Sequence, residues 1–340
     1  MKKLSTHIPA DFPSVDELYS IYGKRVRSNY PMPLPQAGDG LVDLTIRYDG
    51  IVPKTEDRSP NTMYRTWQKE GKSWHLRIYN QYGHTNEFSF SGDGTDIRAT
   101  QSWPEWRDTL FNLMNVVMAS AASIQGDNIL HASSLVRHDK ALLITGISGA
   151  GKSSLSAAFA ANGFSVHSDD IALIQNDNDG NPVVMPGYPR IKVKPGITKY
   201  VENLNGANLI PLTVDSDALR AVEKLNGLNQ GIEDAEKWLT AGELPGGFYD
   251  SPAPVHAILI LDERREDISV PVVTEMKNAQ AVMGLVEHIY GREWLNLPGQ
   301  KSLEFCIQLA SRLPVYRVNL PDNLHLLPAS ADLLYREIMG

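Results

Sequence analysis

The chain of 340 residues is 42% hydrophobic and 21% charged, which is typical of a globular protein and long enough for two domains. Its net charge of −8 argues against a dedicated nucleic-acid-binding protein, and its single cysteine, Cys306, excludes a disulfide framework or a multi-cysteine zinc site. No apolar run approaches the roughly 18 residues that a membrane span requires, and no secretory signal is found, so we expect a cytoplasmic protein without membrane partners.

Residues 1–103 predict a small β-rich domain. Short runs of alternating apolar and polar residues are separated by turn-forming residues such as Gly71, Gly83 and Gly92. This pattern is typical of consecutive strands joined by short turns, so we expect an antiparallel meander that forms one sheet. The predicted strands span residues 41–48, 63–68, 73–79, 87–91 and 96–101.

Residues 104–340 predict a larger α/β domain, in which strands and helices alternate. Pro104 suits the first position of a helix that carries apolar residues at helical spacing up to Val117. A helix from Lys152 is expected to end at Asn162 and Gly163, a favourable C-terminal cap. Further helices are predicted at 217–225, 278–287 and 302–312, and strands at 128–137, 141–145, 164–167, 171–175, 183–185, 191–193, 257–261 and 315–319.

Residues 146–153 read Gly-Ile-Ser-Gly-Ala-Gly-Lys-Ser, which is the P-loop pattern. Its glycines let the backbone curl so that successive N–H groups point at phosphate oxygens, and the following helix adds a partial positive charge. Lys152 would reach the β- and γ-phosphates, and the Ser153 hydroxyl would bind Mg²⁺. The strand before the loop and the helix after it favour this interpretation over a glycine-rich turn that binds nothing. The nucleotide-binding residues predicted here are Gly146, Ser148, Gly149, Ala150, Gly151, Lys152, Ser153 and Ser154.

Two further elements carry candidate catalytic residues. Asp169 and Asp170 follow the next predicted strand, and ligands of open α/β sheets gather at the carboxyl ends of strands. One carboxylate there could hold Mg²⁺ and the other could take a proton from an attacking hydroxyl; the alternative is a solvated turn with a helix cap. His131 lies on the strand before the P-loop strand, where a lone histidine is more often structural than catalytic.

The order of these motifs resembles the catalytic core of HPr kinase/phosphorylase and its relatives, which share a fold with ATP-dependent phosphoenolpyruvate carboxykinase. A histidine on a strand precedes the P-loop, an Ala-rich helix follows it, and Asn-Gly-Phe leads to a strand that ends in Asp-Asp. The resemblance covers residues 131–174 closely and 105–325 loosely. It implies a P-loop kinase domain with a mixed sheet that uses ATP and Mg²⁺. It also implies Asp169 as general base, His131 as its support, and Asp170, Lys152 and Ser153 as metal and phosphate ligands.

Three basic residues are candidate phosphate or substrate contacts. Arg190 and Lys192 lie in a segment that looks like one in divergent HPr-kinase-related proteins, and the alternative is a Pro-kinked strand with exposed basic residues. Arg264 follows an apolar strand, where an arginine can neutralise charge in phosphoryl transfer; the alternative is a solvated face.

The chain also departs from the authentic phosphocarrier kinase. That enzyme's downstream Glu-Ile-Arg-Gly-Leu-Gly-type signature is not found here, and the first half of the chain has no obvious match to its regulatory domain. The resemblance therefore carries over the nucleotide site, whereas the phosphocarrier substrate and the phosphorylase reaction do not carry over.

These residues predict a Mg²⁺- and ATP-dependent kinase that transfers the γ-phosphoryl group to a hydroxyl, foremost a serine of a peptide or protein. The alternatives are a small-molecule kinase acting on a sugar or amino-acid hydroxyl, and a non-catalytic ATP-binding switch protein. Some divergent members of the family resemble kinases that phosphorylate a serine of a lasso peptide precursor, and relatives often form oligomers. The resemblance thus also implies a peptide acceptor and a homo-oligomer.

Overall fold

The structure, a computed structural model, forms two compact units. The first contains the described residues up to Gly126 together with Leu295, and the second contains the other described residues from Asp127 onward. The helical segment that ends at Gln125 belongs to the first unit. The domain boundary predicted after residue 103 falls outside the described residues and stays a prediction. None of the helices in the described part of the chain is long and apolar enough to cross a membrane. The structure describes residues 15–32, 34–51, 64–79, 85–102, 109–110, 112–193, 237–240, 244–292, 295 and 299–340.

The first unit contains a seven-stranded sheet. Its elements are β1 (Glu17–Ile21), β2 (Lys24–Ser28), β3 (Leu44–Ile51), β4 (Tyr64–Glu70), β5 (Ser73–Tyr79), β6 (Thr85–Phe90), β7 (Asp96–Gln101), a π-helical segment (Leu113–Val117) and α1 (Met118–Gln125). The strands β4, β5, β6 and β7 form an antiparallel meander. The other half of the sheet differs from the predicted meander, because β3 lies parallel to both β2 and β7. Pro104, the predicted start of the helix, lies outside the described residues.

The second unit is built on a mixed nine-stranded sheet. The strands of this unit are β8 (Asn128–Leu130), β9 (Ala132–Arg137), β10 (Lys140–Gly146), β11 (Ser165–Ser168), β12 (Ala172–Asn176), β13 (Pro182–Val184), β14 (Arg190–Val193), β15 (Lys237–Thr240), β16 (Ala253–Leu261), β17 (Val272–Met276) and β18 (Val315–Asn319). The order in the sheet is β11-β9-β10-β16-β13-β12-β8, and β18 pairs with both β16 and β17. β14 and β15 form a separate antiparallel pair.

Helices cover both faces of this sheet. They are α2 (Lys152–Ala161), α3 (Asn278–Val286), α4 (Gly299–Arg312) and α5 (Leu327–Ile338). Successive side chains of a strand point to opposite faces, so Leu142 and Ile144 of β10 pack with residues of α2 and α5. Ala141 and Leu143 pack on the other face with residues of α3 and α4. Burial on both faces explains why this strand is wholly apolar, and the α/β class predicted for this part of the chain is confirmed.

Two details of the strands differ from the prediction and affect the candidate site. The strand predicted over residues 128–137 is interrupted at His131, which separates β8 from β9. A β-bulge lies in β11, where the pairing with β9 passes from Val166 directly to Ser168. The strands β15 and β17 and the helix α5 were not predicted, and the predicted helix at 217–225 lies outside the described residues.

Candidate active site

Several segments of the second unit meet at one edge of its sheet. Gly146 ends β10 beside Leu261, and Leu261 lies beside Val318, so the parallel strands β10, β16 and β18 end side by side. β11 runs in the same direction as β10, because both are antiparallel to β9. The P-loop and the acidic pair that begins with Asp169 therefore follow strands that end at this edge. His131 lies there too, since it directly precedes the start of β9, which pairs with the end of β10.

The glycines of the P-loop adopt backbone conformations that other residues rarely reach. Gly146, Gly149 and Gly151 have φ angles of 146°, 87° and 104°. A Cβ on Gly146 would lie 2.4 Å from the carbonyl oxygen of Leu261, so only glycine allows β10 to approach β16 this closely. Gly151 directly precedes α2, whose first N–H groups have no partner within the helix and can bind an anion. These features fit a phosphate-binding turn.

Lys152, the first residue of α2, is buried with its ammonium group against the loop. Its Nζ donates to the carbonyl oxygens of Gly146 at 2.9 Å and Ile147 at 3.4 Å. Burial lowers the pKa of Lys152, and the negative charges of Asp170 and Asp169 act in the opposite direction. The ladders that β9 forms with β10 and β11 place this lysine at the same edge of the sheet as the two carboxylates.

Asp169 is turned toward the α2 face of the sheet by the bulge in β11. In a regular strand Asp169 would share a face with His167, two residues earlier. His167, the unpaired residue of the bulge, breaks this alternation and so brings Asp169 to the face of the sheet that carries Ser133. There Ser133 Oγ donates a hydrogen bond to Asp169 Oδ1 at 2.6 Å. Ser133 lies on the same face of β9 as Leu135, which packs in the cluster that contains α2. Asp169 is only 4% exposed, so the hydrogen bond joins two buried groups.

His167, the residue at the bulge, is held on the opposite face as a neutral imidazole. Its Nε2 lies 3.0 Å from the carbonyl oxygen of Ser251, and its Nδ1 lies 3.0 Å from Ser134 Oγ. A carbonyl oxygen only accepts, so Nε2 carries the proton and Nδ1 accepts from the serine hydroxyl. Burial lowers the pKa of His167 to about 4, which agrees with a neutral ring.

Asp170 and His131 form a second pair that is open to solvent. Asp170 Oδ1 lies 3.6 Å from His131 Nε2, and the two side chains are 33% and 44% exposed. Asp170 has a φ of 62°, a conformation that non-glycine residues rarely adopt and that is frequent at functional sites. The backbone of His131 is fixed at both ends, because its N–H donates to His288 O at 2.8 Å and its carbonyl accepts from Thr145 Oγ1 at 2.7 Å.

Sequence reasoning missed two residues of this site, Ser133 and His288. Ser133 follows His131 closely in the chain, but a serine without a motif around it gives no signal. His288 is buried, and burial lowers its pKa to about 4, with the charges of Lys152 and His131 adding to the effect. No spacing marks His288 as a site residue, because it approaches His131 only through the pairing of its chain segment with β8.

The remaining predicted residues of the loop lie where the pattern places them. Ser148 is exposed, Ala150 is buried, and Ser153 and Ser154 are half-buried in the first turn of α2. Their roles in nucleotide or metal binding stay predictions.

The three basic candidates have different surroundings. Arg264 lies beside the loop, since its Cδ is 3.9 Å from the position that a Cβ on Gly151 would take, and its Nη1 is 2.9 Å from Asp322 Oδ1. The guanidinium of Arg190 is buried and lies 5.5 Å from the ring centre of Tyr188. Lys192 is part of β14, and its side chain lies outside the described part of the structure. A phosphate contact stays a prediction for all three.

An open cleft of 460 Å³ lies elsewhere in the second unit. Arg137, at the end of β9, stands over the ring of Tyr335 at 4.3 Å there. Because β9 begins next to His131 and ends at Arg137, this cleft is at the far end of the strand and is not part of the P-loop site. The cleft is lined by Arg137, Asn162, Pro328, Ala329, Asp332 and Tyr335.

Comparisons with known proteins give no family assignment. No protein-family model and no curated protein matches this chain. Among solved structures, the chain is similar to the Hpr(Ser) kinase/phosphatase from Coxiella burnetii, with 18% identity, a TM-score of 0.29, and coverage of 62% of this chain and 94% of that chain. A TM-score this low establishes neither a shared fold nor a shared activity, so the chemistry of the site has to be derived from the residues of this chain.

Proposed function

We propose that this protein is a Mg²⁺- and ATP-dependent kinase that transfers the γ-phosphoryl group to a hydroxyl. One observation carries the proposal: the loop with the P-loop sequence and the acidic pair, Asp169 and Asp170, lie at the same edge of the sheet. The strand β9 pairs with β10, which ends in the loop that holds the buried ammonium group of Lys152, and with β11, which ends just before Asp169. Phosphoryl transfer needs a phosphate cradle, oxygen ligands for the metal and a base, and it demands little covalent chemistry of the protein. The residue types at this edge of the sheet can supply all three.

Phosphate binding is assigned to the loop and the start of α2. The N–H groups of the loop would donate to phosphate oxygens, and the helix N-terminus would favour their negative charge. Lys152 now donates to two carbonyl oxygens of the loop, and phosphate oxygens would replace these acceptors when a nucleotide binds. Arg264 would add a second positive charge, since its side chain lies beside Gly151 and is held there by Asp322.

The oxygen atoms at this edge fit a magnesium ion. Mg²⁺ is usually bound by one or two carboxylates together with water and substrate phosphates. Asp170 offers a partly exposed carboxylate, and Ser153 offers a hydroxyl in the first turn of α2. Among the described residues there is no group of three or more His, Cys, Asp and Glu that could hold a metal, and a site of this type does not need one. Bound Mg²⁺ would neutralise charge on the phosphates.

Proton transfer is assigned to Asp169, and His131 is assigned to the support of the neighbouring carboxylate, Asp170. The carboxylate of Asp169 would accept the proton of the acceptor hydroxyl as the hydroxyl oxygen attacks the γ-phosphorus. The bond from the γ-phosphorus to the oxygen that bridges it to the β-phosphate would break, and ADP would leave. A carboxylate has about four acceptor positions, so the hydrogen bond from Ser133 does not by itself exhaust this capacity. His131 would orient the second carboxylate, which lies 3.6 Å from its Nε2. Each residue of the acidic pair thus has a separate task.

The acceptor that we propose is a serine of a peptide or protein, by analogy with the HPr-kinase-related family that the motifs resemble. The exposure of the Asp170 and His131 side chains supports an approach from solvent to this edge of the sheet. A sugar or amino-acid hydroxyl would be served by the same residues, and a protein that binds ATP without turnover would be a switch. Transfer of labelled γ-phosphate to serine peptides, compared with a panel of sugars and amino acids, separates these three cases.

The substitution Asp169→Asn tests the assignment of the base. The amide keeps the shape of the side chain but cannot accept a proton, so phosphoryl transfer is expected to fall by about 10²- to 10⁴-fold. ATP binding, measured by calorimetry, is expected to stay nearly unchanged. Asp179→Asn is the matched control, because Asp179 is exposed in a turn and the substitution is chemically the same. Unchanged turnover in Asp169→Asn would remove Asp169 from the role of base.

A further inference from the structure

A hydrogen bond between two adjacent strands fixes the side chain of Asp169. Ser133 Oγ donates to Asp169 Oδ1 at 2.6 Å, a length typical of a bond from a hydroxyl to a charged carboxylate. Ser133 is 1% exposed and Asp169 is 4% exposed, so bulk water does not compete freely for either group. The bond is therefore able to hold the carboxylate in one orientation.

The backbone of Asp169 lies outside the strand ladder. β11 ends at Ser168, the last residue that pairs with β9, so Asp169 lies just beyond the ladder. The next residue, Asp170, has a φ of 62°, which turns the chain out of the strand conformation. A side chain at such a junction can adopt several rotamers unless a partner selects one. Ser133 is such a partner, and it belongs to the regular part of β9, where it pairs with Ile144 of β10.

The neighbouring residue, Ser134, provides an internal comparison. It is also a buried serine of β9, and its hydroxyl also contacts a side chain of β11. It points to the opposite face of the sheet, however, and its partner is His167 rather than Asp169. The two serines thus differ in one respect that concerns the site, which is the identity of the side chain that each one holds.

From these contacts we infer that Ser133 is a positioning residue, which aims the carboxylate of Asp169 at the acceptor hydroxyl. The inference rests on the proposed kinase function and deepens it. The bulge in β11 brings Asp169 to the face of Ser133, and the serine hydroxyl then selects the orientation of the carboxylate. Ser133 is 1% exposed and its hydroxyl is directed to Asp169, so we expect its loss to act on the transfer step and to leave nucleotide binding intact.

Three variants test the inference through kinetics. Ser133→Ala is expected to lower kcat by about 10- to 100-fold, the effect of losing one hydrogen bond to a charged group, while the KM for ATP changes by less than about twofold. Ser133→Thr, which retains a hydroxyl on Cβ and suits a strand, is expected to regain most of the activity. Ser134→Ala is expected to keep the kcat of the wild type, although it loses a buried hydrogen bond and some thermal stability.

A crystal structure of each variant gives a second measurement that does not depend on turnover. The Asp169 carboxylate is expected to leave its position or to occupy several rotamers in Ser133→Ala, and to stay in place in Ser134→Ala. If the wild type transfers phosphate to no hydroxyl, the proposed function fails, and the crystal structures still test whether Ser133 positions Asp169. An unmoved carboxylate with wild-type kcat in Ser133→Ala would overturn the inference. So would a Ser133→Thr protein that matches the wild type in thermal stability but not in kcat.

Discussion

Gly146 is the position where the geometry of the P-loop can be tested most directly. Its φ is 146°, and a Cβ would lie 2.4 Å from the carbonyl oxygen of Leu261. An alanine at this position would have to separate the end of β10 from β16. Backbone strain of this kind costs about 1–3 kcal/mol, and overpacking of a close contact costs about 1–3 kcal/mol. We therefore expect Gly146→Ala to lower the free energy of unfolding by about 2–6 kcal/mol.

Gly163, which follows the C-terminal end of α2, provides a matched control. Its φ is 87°, and a Cβ there would have nothing within 4 Å. An alanine at this position adds about 1–2 kcal/mol of left-handed strain, offset by about 0.4–1 kcal/mol because the unfolded chain loses freedom. The expected loss of free energy of unfolding for Gly163→Ala is therefore about 0 to 1.6 kcal/mol. The difference between the two losses of free energy of unfolding measures the effect of the close contact with Leu261.

Urea denaturation measures the two free energies of unfolding, and calorimetry with ATP measures the consequence for the loop. At a temperature where both proteins are folded, Gly146→Ala is expected to bind ATP at least about tenfold more weakly, the equivalent of one lost hydrogen bond to a charged phosphate. Gly163→Ala is expected to bind ATP like the wild type. Equal destabilisation by both substitutions would refute the close approach of β10 to β16. Unchanged ATP affinity in Gly146→Ala would refute phosphate binding by the loop backbone.

Two further predictions concern buried titratable groups. The pKa of His167 falls from its ordinary value of 6.5 to about 4 on burial, so below pH 6.5 the unfolded chain binds more protons there than the folded protein. The contribution of His167 to the free energy of unfolding is therefore complete above about pH 6.5, and it falls by about 3 kcal/mol as the pH is lowered to about 4. In His167→Gln, the free energy of unfolding measured by urea denaturation should therefore depend less on pH between about 6.5 and 4. Burial raises the pKa of the Cys306 thiol to about 12. A thiol reagent at neutral pH should therefore label Cys306 only when the protein unfolds. Rapid labelling of the native protein would contradict the position of Cys306 in the core.

The loop and its flanking elements could be predicted because their signals are contiguous in the sequence. A P-loop holds phosphates with its own backbone, so the glycines and Lys152 have to be close neighbours along the chain. The apolar strand before the loop and the Ala-rich helix after it gave equally local signals, and the structure has β10 and α2 at these places. The acidic pair could be predicted for a related reason, since it directly follows the next strand of the sheet.

The residues that support the site could not be predicted, because their signals are not local. The partnership of Ser133 with Asp169 depends on one extra residue in β11, and a regular strand would have put the carboxylate on the opposite face. No composition distinguishes a bulge at His167 from a regular strand through it. The break at His131 was missed in the same way, since the residues on both sides have strand character.

The position of β9 explains how the loop after β10 and the acidic pair after β11 keep a fixed spacing. β9 pairs with β10, which ends in the P-loop, and with β11, which ends at the acidic pair. The chain between Lys152 and Asp169 runs through a whole helix, but the distance between the loop and the acidic pair is set by the two ladders that β9 forms. Ser133 lies in the middle of this arrangement, opposite Ile144 on one side and bonded to Asp169 on the other. A change in β9 would therefore move Asp169, the proposed base, relative to the loop, even though under this proposal no residue of β9 has to touch the nucleotide.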